Sequence, residues 1–318
     1  MPVEQPVEQR ADPRDKPRRA CLHCQTPLPV SMDTLDACVL SIAGLNRAGK
    51  TYFLGSTLYA ATRNDALQPY GVRSITPLSD TAQRLHRDYA QPLFKNHSLD
   101  FTTRYAHVER EPLIFKVTME SGAAFVLVTH DVSGEALMSD NDRAVTAGFV
   151  RRSDALIFLA DPTDMTAVKR HLPDGIAEEH GLRDLNQSAL LDVILDELSP
   201  AHRRTTPPLA LAVSKSDLIS DYAQRDYLFA RHTNLARWQD DCRQVHHEVR
   251  NLLLELGEQS LVRLTDRLGS STFHAVSVLG PRDVRAGNGG RPAPARVLNP
   301  LGVVLNKIAL KVTAPGGS

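Results

Sequence analysis

The stretch VLSIAGLNRAGKTYFL, Val39–Leu54, restricts the possible folds of this chain more than any other. It passes from an apolar run through GLNRAGKT into a pattern typical of a helix. Gly44, Gly49, Lys50 and Thr51 satisfy the spacing G-x-x-x-x-G-K-[ST], which is typical of loops that wrap around phosphate groups. Such a loop follows a strand and opens a helix, so the sequence predicts an α/β fold.

The residue types of this loop suit a bound nucleotide. Glycines let backbone N–H groups curl around a β-phosphate, Lys50 reaches the β- and γ-oxygens, and the Thr51 hydroxyl is available to Mg²⁺. We expect four more residues to line the nucleotide, namely Asn46, Arg47, Ala48 and Tyr52. The alternative is a glycine-rich turn that merely joins a strand to a helix.

Six short runs rich in Val, Leu, Ile, Phe and Ala alternate with helical patterns, as strands buried on both faces of a sheet do. The runs are 37–45, 112–119, 123–130, 154–161, 208–217 and 271–277. The helices are expected at 50–62, 79–90, 142–152, 187–199, 234–267 and 298–311. The pattern predicts a doubly wound, mostly parallel six-stranded sheet with helices on both faces. Only ESG separates 112–119 from 123–130, which predicts one antiparallel hairpin.

Composition divides the chain and excludes some function classes. We expect a disordered leader (1–20), a short Cys-x-x-Cys element (21–34), the main domain (35–280), a linker (281–296) and a C-terminal helix and tail (297–318). Lys+Arg and Asp+Glu both number 37, so no global field attracts nucleic acid or anionic lipid. No apolar run reaches the roughly 20 residues of a membrane span, and the N-terminus lacks a secretory apolar region, which predicts a cytoplasmic protein.

Asp131 and Gly134 stand in D-x-x-G spacing after an apolar strand, in FVLVTHDVSGE. An acidic residue at that strand end can hold Mg²⁺ through water, and the glycine N–H can contact a γ-phosphate. The alternative is an ordinary turn that begins with an aspartate.

Ser214, Lys215 and Asp217 follow another strand, in LALAVSKSD. A carboxylate at Asp217 can accept hydrogen bonds from N1–H and the exocyclic amine of guanine, a donor pair that adenine lacks. The aliphatic stem of Lys215 can lie along the base, and backbone N–H groups at Ser277 and Val278 can meet the guanine carbonyl oxygen. The alternative is a solvated turn at the strand end.

Together these segments resemble the P-loop GTPases of the Ras-like, translation-factor-related class from about residue 36 to 280. The base-specific box of that class is usually NKxD, so Ser214 replaces an asparagine whose amide would tie the base to the P-loop. The chain is more similar still to the bacterial double-GTPase families of predicted conflict and signalling systems. The counterparts of their features are CLHCQTPLP, an insertion at 64–111 and the proline-containing VLNPLGVVLNKI.

The resemblance implies roles for further residues. A switch I threonine should reach Mg²⁺ and the γ-phosphate, and we favour Thr103 over Thr102 and Thr76. Glu135 follows D-x-x-G, where many relatives have a glutamine that orients the attacking water. The catalytic candidates are therefore Lys50, Glu135 and Thr103, and the metal candidates are Thr51, Thr103 and Asp131.

Cys21 and Cys24 stand at the spacing of half a zinc knuckle. A closed structural site needs four ligands, so a degenerate, metal-free element is favoured, and zinc shared between two chains is the alternative. The helix that contains His246 and His247 carries an apolar stripe typical of core packing, and we assign the two histidines no chemistry.

We therefore expect a guanine-nucleotide-binding protein that hydrolyses GTP to GDP and phosphate as a molecular switch. Its partner would be a protein effector or a partner GTPase, including a second copy of this chain. Two alternatives stay open at this point. One is a GTP/GDP-binding interaction module with little or no hydrolysis, and the other is an ATP-using P-loop enzyme.

Overall fold

The computed structural model describes residues 28–63, 65–78, 80–90, 93, 112–139, 143–170, 186–199, 206–223, 226–280 and 293–312. The predicted leader, the pair Cys21 and Cys24, and the switch I candidates Thr102 and Thr103 lie outside the described residues.

The described strands form one seven-stranded sheet in the order β2-β3-β4-β1-β5-β6-β7. The strands are β1 (Ala37–Gly44), β2 (Val72–Pro77), β3 (Leu113–Met119), β4 (Ala124–Asp131), β5 (Ala155–Ala160), β6 (Leu209–Val213) and β7 (Thr272–Ala275). Pairing is parallel from β4 through β1, β5 and β6 to β7, and antiparallel at β2–β3 and β3–β4. The predicted α/β fold and the β3–β4 hairpin are thus confirmed.

The predicted count of six strands was wrong, because β2 adds a seventh strand at the edge of the sheet. Only Val72 and Ile75 of this strand are buried. An edge strand packs on one face and on one neighbour, so β2 lacks the continuous apolar run that marks the central strands.

Ten α-helices accompany the sheet in the described part of the chain. They are α1 (Lys50–Ala61), α2 (Thr81–Arg84, continued as a π-helix over Leu85–Ala90), α3 (Gly134–Met138), α4 (Arg143–Arg151), α5 (Thr166–Lys169), α6 (Gln187–Glu197), α7 (Ser216–Ala223), α8 (Trp238–Glu255), α9 (Gln259–Asp266) and α10 (Leu298–Val312). The single helix expected over 234–267 is two helices. Gly257 adopts φ 86°, and the Glu258 N–H donates to Leu253 O, a C-terminal motif that ends α8.

Buried side chains alternate between the two faces of the sheet. In β5, Ile157 and Leu159 point into a core that also contains Phe53 of α1, whereas Leu156 and Phe158 point into the opposite core. Each face therefore needs its own layer of helices, which is the doubly wound arrangement that the sequence predicted.

The C-terminal helix α10 belongs to the same core as α1, since Leu301 and Leu305 are buried there. Gly302 lies against the Tyr70 ring, because a Cβ at that glycine would stand 2.3 Å from the ring. The Tyr70 hydroxyl donates to Asn299 Oδ1 at 2.6 Å. None of the helices in the described ranges combines the length and apolarity that a bilayer crossing requires.

Candidate functional site

The site is built at the carboxyl-terminal edge of the parallel strands. The segments that follow β1, β4, β5 and β6 all start at this edge, because these four strands are neighbours in parallel register. Apart from Thr76, the predicted phosphate, metal and base residues in the described ranges lie at the ends of these strands, on the segments that follow them, or after β7. The fold thus gathers residues that are as far apart in sequence as Gly44 and Val278.

The phosphate loop curls around the ammonium group of Lys50. Lys50 Nζ donates to the carbonyl oxygens of Gly44 and Leu45, each at 3.0 Å. Arg47 and Gly49 adopt positive φ values of 67° and 84°, which turn the chain back before α1 begins at Lys50. A positive charge inside a ring of main chain at a helix N-terminus favours a bound anion.

Gly44 and Gly134 allow a close approach of main chain at two points of the loop. A Cβ at Gly44 would lie 2.6 Å from Leu159 O of β5. A Cβ at Gly134 would lie 2.7 Å from Gly44 O and also 2.7 Å from the Leu190 side chain. The glycine of D-x-x-G is therefore required sterically, because any side chain there would push α3 away from the phosphate loop.

Thr51 and Asp131 meet beside the loop. Thr51 Oγ1 donates to Asp131 Oδ2 at 3.2 Å. Asp131 Oδ1 is buried and has no hydrogen-bond partner among the described atoms, although the residue as a whole is partly accessible. Burial raises the pKa of the Asp131 carboxyl above its usual value, while the Lys50 ammonium and the Thr51 hydroxyl act in the opposite direction. A buried carboxylate oxygen that can still accept a ligand, next to a hydroxyl, suits a hard divalent cation such as Mg²⁺.

Asn46 and Glu135 connect the phosphate loop to α3. Asn46 Nδ2 donates to Glu135 Oε1 at 3.1 Å, and both side chains are exposed. Ala48, in contrast, is fully buried, and Tyr52 is half-buried on the first turn of α1. The structure thus brings Glu135 to a loop residue that the sequence predicted to line the nucleotide.

Lys215 is held by an acidic residue that the sequence reasoning missed. Lys215 Nζ lies 2.5 Å from Asp161 Oδ2, and Asp161 is 2% exposed. Asp161 Oδ1 accepts hydrogen bonds from the N–H (2.9 Å) and hydroxyl (2.7 Å) of Thr163. An acidic residue directly after the fully apolar strand β5 was the available signal.

The serine in the base-recognition box bonds to β5. Ser214 N and Ser214 Oγ both donate to Ala160 O, at 2.9 and 3.2 Å. Lys215 follows with a positive φ of 50°. The box is therefore tied to the end of β5 through Ala160 and Asp161, rather than to the phosphate loop through an asparagine amide.

Asp217 and Ser277 lie side by side at the start of α7 and after β7. Ser277 Oγ donates to Asp217 Oδ1 at 2.6 Å and accepts from the Gly280 N–H at 3.0 Å. The Ser277 N–H donates to Ala295 O at 3.1 Å, so this predicted donor to a base is already engaged. The Val278 N–H has no hydrogen-bond acceptor among the described atoms.

The switch I option Thr76 lies away from this edge, and two arginines of α4 are held by a glutamate of α6. Thr76, the remoter switch I option, lies in β2 opposite Lys116 of β3. Arg143 and Arg151 both pair with Glu197, at 3.2 and 2.7 Å, which ties them to α6.

Cys242, Val245 and Val249 are buried along α8, as the apolar stripe predicted, but Leu235 is 50% exposed because it precedes the helix. Within the described ranges no three His, Cys, Asp or Glu side chains converge as a metal site would require.

Comparison with known proteins identifies the family of this chain. Residues 38–261 match the Double-GTPase 2 family. A relative in Mycolicibacterium smegmatis, named "Putative ESX-1 scaffolding and assembly protein SaeC", is 26% identical over 286 residues, which are 82% of this chain and 72% of that protein.

Two solved structures are also similar. Sup35 complexed with GDP matches with a TM-score of 0.30 and 11% identity over 76% of this chain and 37% of that chain. The G domain of the T. maritima FeoB iron transporter matches with a TM-score of 0.29 and 12% identity over 85% of this chain and 99% of that chain.

The family match spans well over half of the chain and contains the phosphate loop, Asp131, Gly134 and Asp217. The chain therefore belongs to the Double-GTPase 2 family, and it is a GTP-binding P-loop protein.

Proposed function

We propose that this protein hydrolyses GTP to GDP and phosphate and that the bound nucleotide sets the conformation of a molecular switch. The contact between Thr51 and Asp131 carries the proposal. It brings the last residue of the phosphate-loop motif to the end of β4, the strand that leads into D-x-x-G. A nucleotide γ-phosphate at this point would touch both segments at once.

Magnesium fits the donor set of this site. Thr51 Oγ1 and the buried Asp131 Oδ1 would hold the ion, directly or through water, and Thr103 is the candidate from switch I. When bound, Mg²⁺ neutralises charge on the β- and γ-oxygens of the nucleotide.

Lys50 and the phosphate-loop main chain bind and orient the triphosphate. Lys50 Nζ now donates to two carbonyl oxygens, and both bonds can be exchanged for phosphate oxygens of higher charge. The N–H groups that open α1 add the positive end of a helix dipole. A protein catalyses phosphoryl transfer mainly by positioning the reacting groups and by stabilising the charge of the transition state.

Guanine recognition is proposed for Asp217, with Lys215 along the base and the Val278 N–H directed to the carbonyl oxygen. The Ser277 hydroxyl donates to one carboxylate oxygen of Asp217, which fixes the plane of that carboxylate. A fixed carboxylate plane favours a bidentate pair with guanine.

Glu135 is proposed to position the attacking water. The water oxygen bonds to the γ-phosphorus, and the bond from that phosphorus to the β,γ-bridging oxygen breaks with its electron pair left on GDP. Both water protons end on the released phosphate, as H₂PO₄⁻. The hydrogen bond from Asn46 holds the Glu135 carboxylate beside the loop. Its negative charge near the γ-phosphate predicts slow turnover, or turnover that depends on a partner.

A second candidate is a GTP/GDP-binding interaction module with little hydrolysis. Glu135 in place of glutamine and Ser214 in place of asparagine favour it, as does the relative whose name describes scaffolding and assembly. In either case we propose a cytoplasmic protein with a GTPase domain at 35–280. Its partner would be a protein effector, a partner GTPase or a second copy of this chain.

Single-turnover hydrolysis tests the proposal. The full chain is loaded with GTP in the presence of a chelator, Mg²⁺ is added in excess, and bound GTP and GDP are quantified over time, with and without candidate partners. We expect conversion to GDP that is lost in Asp131→Asn. Retained GTP without conversion under every condition would favour the interaction module.

A further inference from the structure

The segment Ala293–Val297, here called the strap, joins the end of the predicted linker to α10. Its main chain pairs with the segment after β7. The Ser277 N–H donates to Ala295 O at 3.1 Å, and the Ala295 N–H donates to Ser277 O at 2.7 Å. The Ala293 N–H adds a bond to Leu279 O at 3.2 Å. The strap thus uses both main-chain polar groups of Ser277.

Ser277 is also the residue that touches the base-recognition carboxylate. It is 2% exposed, and its hydroxyl donates to Asp217 Oδ1 at 2.6 Å. Because both of its main-chain groups are held by Ala295, the position of the Ser277 hydroxyl depends on the strap. The orientation of the Asp217 carboxylate depends in turn on that hydroxyl.

A buried ion pair anchors the strap on its other side. The Arg296 side chain is 1% exposed and forms a two-pronged ion pair with Asp241 of α8, which is itself buried. Arg296 Nε donates to Arg231 O at 2.8 Å, and Nη2 donates to Leu228 O at 3.0 Å. A guanidinium with this many partners admits one position, since any shift would leave buried polar groups unpaired.

The end of the strap contacts the helix that follows the phosphate loop. Val297 O accepts a hydrogen bond from Thr57 Oγ1 of α1 at 3.1 Å, and Thr57 is buried. The strap therefore spans the distance between the base-recognition residues and α1, with Arg296 fixed between these two contacts.

We propose that the strap is a positioning element for guanine recognition. It holds Ser277 where the serine hydroxyl keeps the Asp217 carboxylate in the plane of the base. This inference rests on the proposed role of Asp217. Asp217 would touch the base, whereas Ala295 and Arg296 act through Ser277 and touch no nucleotide. By linkage, a guanine nucleotide that tightens Asp217 must also stabilise the strap.

The test compares GDP with inosine diphosphate, which keeps N1–H and the carbonyl oxygen of guanine but lacks the exocyclic amine. One lost hydrogen bond to a charged group corresponds to a Kd ratio of about 10- to 100-fold in the wild type. Ala295→Pro removes the N–H that donates to Ser277 O, and Arg296→Lys removes the two-pronged contact while keeping the charge. Each substitution should lower the ratio of the Kd for inosine diphosphate to the Kd for GDP at least about fivefold. Arg243→Lys, at an exposed arginine on α8, is the matched control and should leave the ratio unchanged.

A double-variant cycle separates positioning from general loosening. Asp217→Asn alone should remove the preference for GDP over inosine diphosphate, and adding Ala295→Pro should then change the ratio no further. If both folded strap variants keep the wild-type ratio while Asp217→Asn loses it, the strap proposal is overturned and the base site stands. If Asp217→Asn leaves GDP affinity unchanged, the proposed base site fails and the strap proposal with it.

Hydrogen exchange on the wild-type chain tests the same idea without a substitution. The Ala295 amide should exchange several-fold more slowly when the chain is saturated with GDP than when it is free of nucleotide. Equal exchange rates in the two samples would overturn the proposal even if the variants proved unable to fold.

Discussion

Asn46 Nδ2 donates a hydrogen bond to Glu135 Oε1 at 3.1 Å, so the exposed middle of the phosphate loop holds the first acidic residue of α3. The two residues are 89 positions apart in the sequence. Both are exposed, which leaves them accessible to a γ-phosphate and a water molecule above the loop. The contact couples the orientation of Glu135 to the conformation of the loop.

Glu135→Ala should lower kcat for GTP about 100-fold, because a group that positions or deprotonates water contributes roughly that factor. The affinity for GDP should stay within twofold, since GDP has no γ-phosphate. Steady-state phosphate release and a GDP titration measure the two effects. Glu120→Ala, at the β3–β4 turn, is the control and should retain wild-type turnover. An unchanged kcat in Glu135→Ala would exclude this role.

Asn46→Ala should have a smaller effect on the same reaction. It deletes one neutral donor to Glu135 and leaves the carboxylate in place, which corresponds to about a fivefold loss in kcat. A loss as large as that of Glu135→Ala would instead assign Asn46 a direct contact with the transferred γ-phosphoryl group.

Asp217→Asn should exchange guanine for xanthine specificity. The asparagine amide donates where the carboxylate accepted, so it repels the exocyclic amine of guanine but pairs with the second carbonyl oxygen of xanthine. We expect GDP affinity to fall about 100-fold or more and xanthosine diphosphate to bind better than GDP. Lys50→Ala should instead weaken both nucleotides alike. Equal GDP affinity in the wild type and in Asp217→Asn would contradict the assignment.

Gly134→Ala should destabilise the fold by about 1 to 3 kcal/mol, because the new Cβ would meet Gly44 O and Leu190 at 2.7 Å each. Gly148→Ala is a matched control on α4, where a Cβ meets no atom within 4 Å. Removing a glycine from a helix should stabilise the fold by about 0.5 to 1 kcal/mol. Urea unfolding of both variants measures the difference, and equal stabilities would show that α3 can move away from the loop freely.

His274 should make stability depend on pH. Burial lowers its pKa to about 3, whereas the same imidazole in the unfolded chain titrates near 6.5. Between these values the unfolded chain binds a proton that the folded chain does not, so the free energy of unfolding falls as pH drops below 6.5.

The wild type should therefore lose about 1.4 kcal/mol more than His274→Gln between pH 7.5 and pH 5.5. Urea titrations at the two pH values measure the slope, and His86→Gln, at an exposed ring, serves as the control. Parallel slopes for wild type and His274→Gln would contradict the assignment.

The parts of the fold that the sequence predicted correctly depend on residues that are adjacent in the chain. The phosphate loop follows β1 and opens α1 as its spacing requires, and the ESG turn gives the β3–β4 hairpin. The apolar runs of β5 and β6 are strands buried on both faces. In each case the local turn geometry and the spacing of apolar residues along the segment decide the structure.

The parts that the sequence did not predict depend on contacts between distant residues. Asp161 was read only as the end of a strand, and its pairing with Lys215 requires knowing that β5 and β6 are neighbours. Ala295, which pairs with Ser277, belongs to a segment whose glycine, proline and arginine content is typical of a linker. The composition of a segment indicates how much apolar surface it can bury. It does not indicate which other segment its main chain will hydrogen-bond to.

A competition titration between GDP and ADP is the decisive test of guanine specificity in this protein. The full chain, freed of nucleotide and supplied with Mg²⁺, is saturated with a fluorescent GDP analogue and titrated with each unlabelled nucleotide. We expect GDP to displace the analogue at a concentration roughly 1,000-fold or more below that of ADP, because adenine lacks the donor pair of N1–H and exocyclic amine that the Asp217 carboxylate would accept. Displacement by ADP at the same concentration as GDP would contradict the guanine site and favour an ATP-using P-loop enzyme.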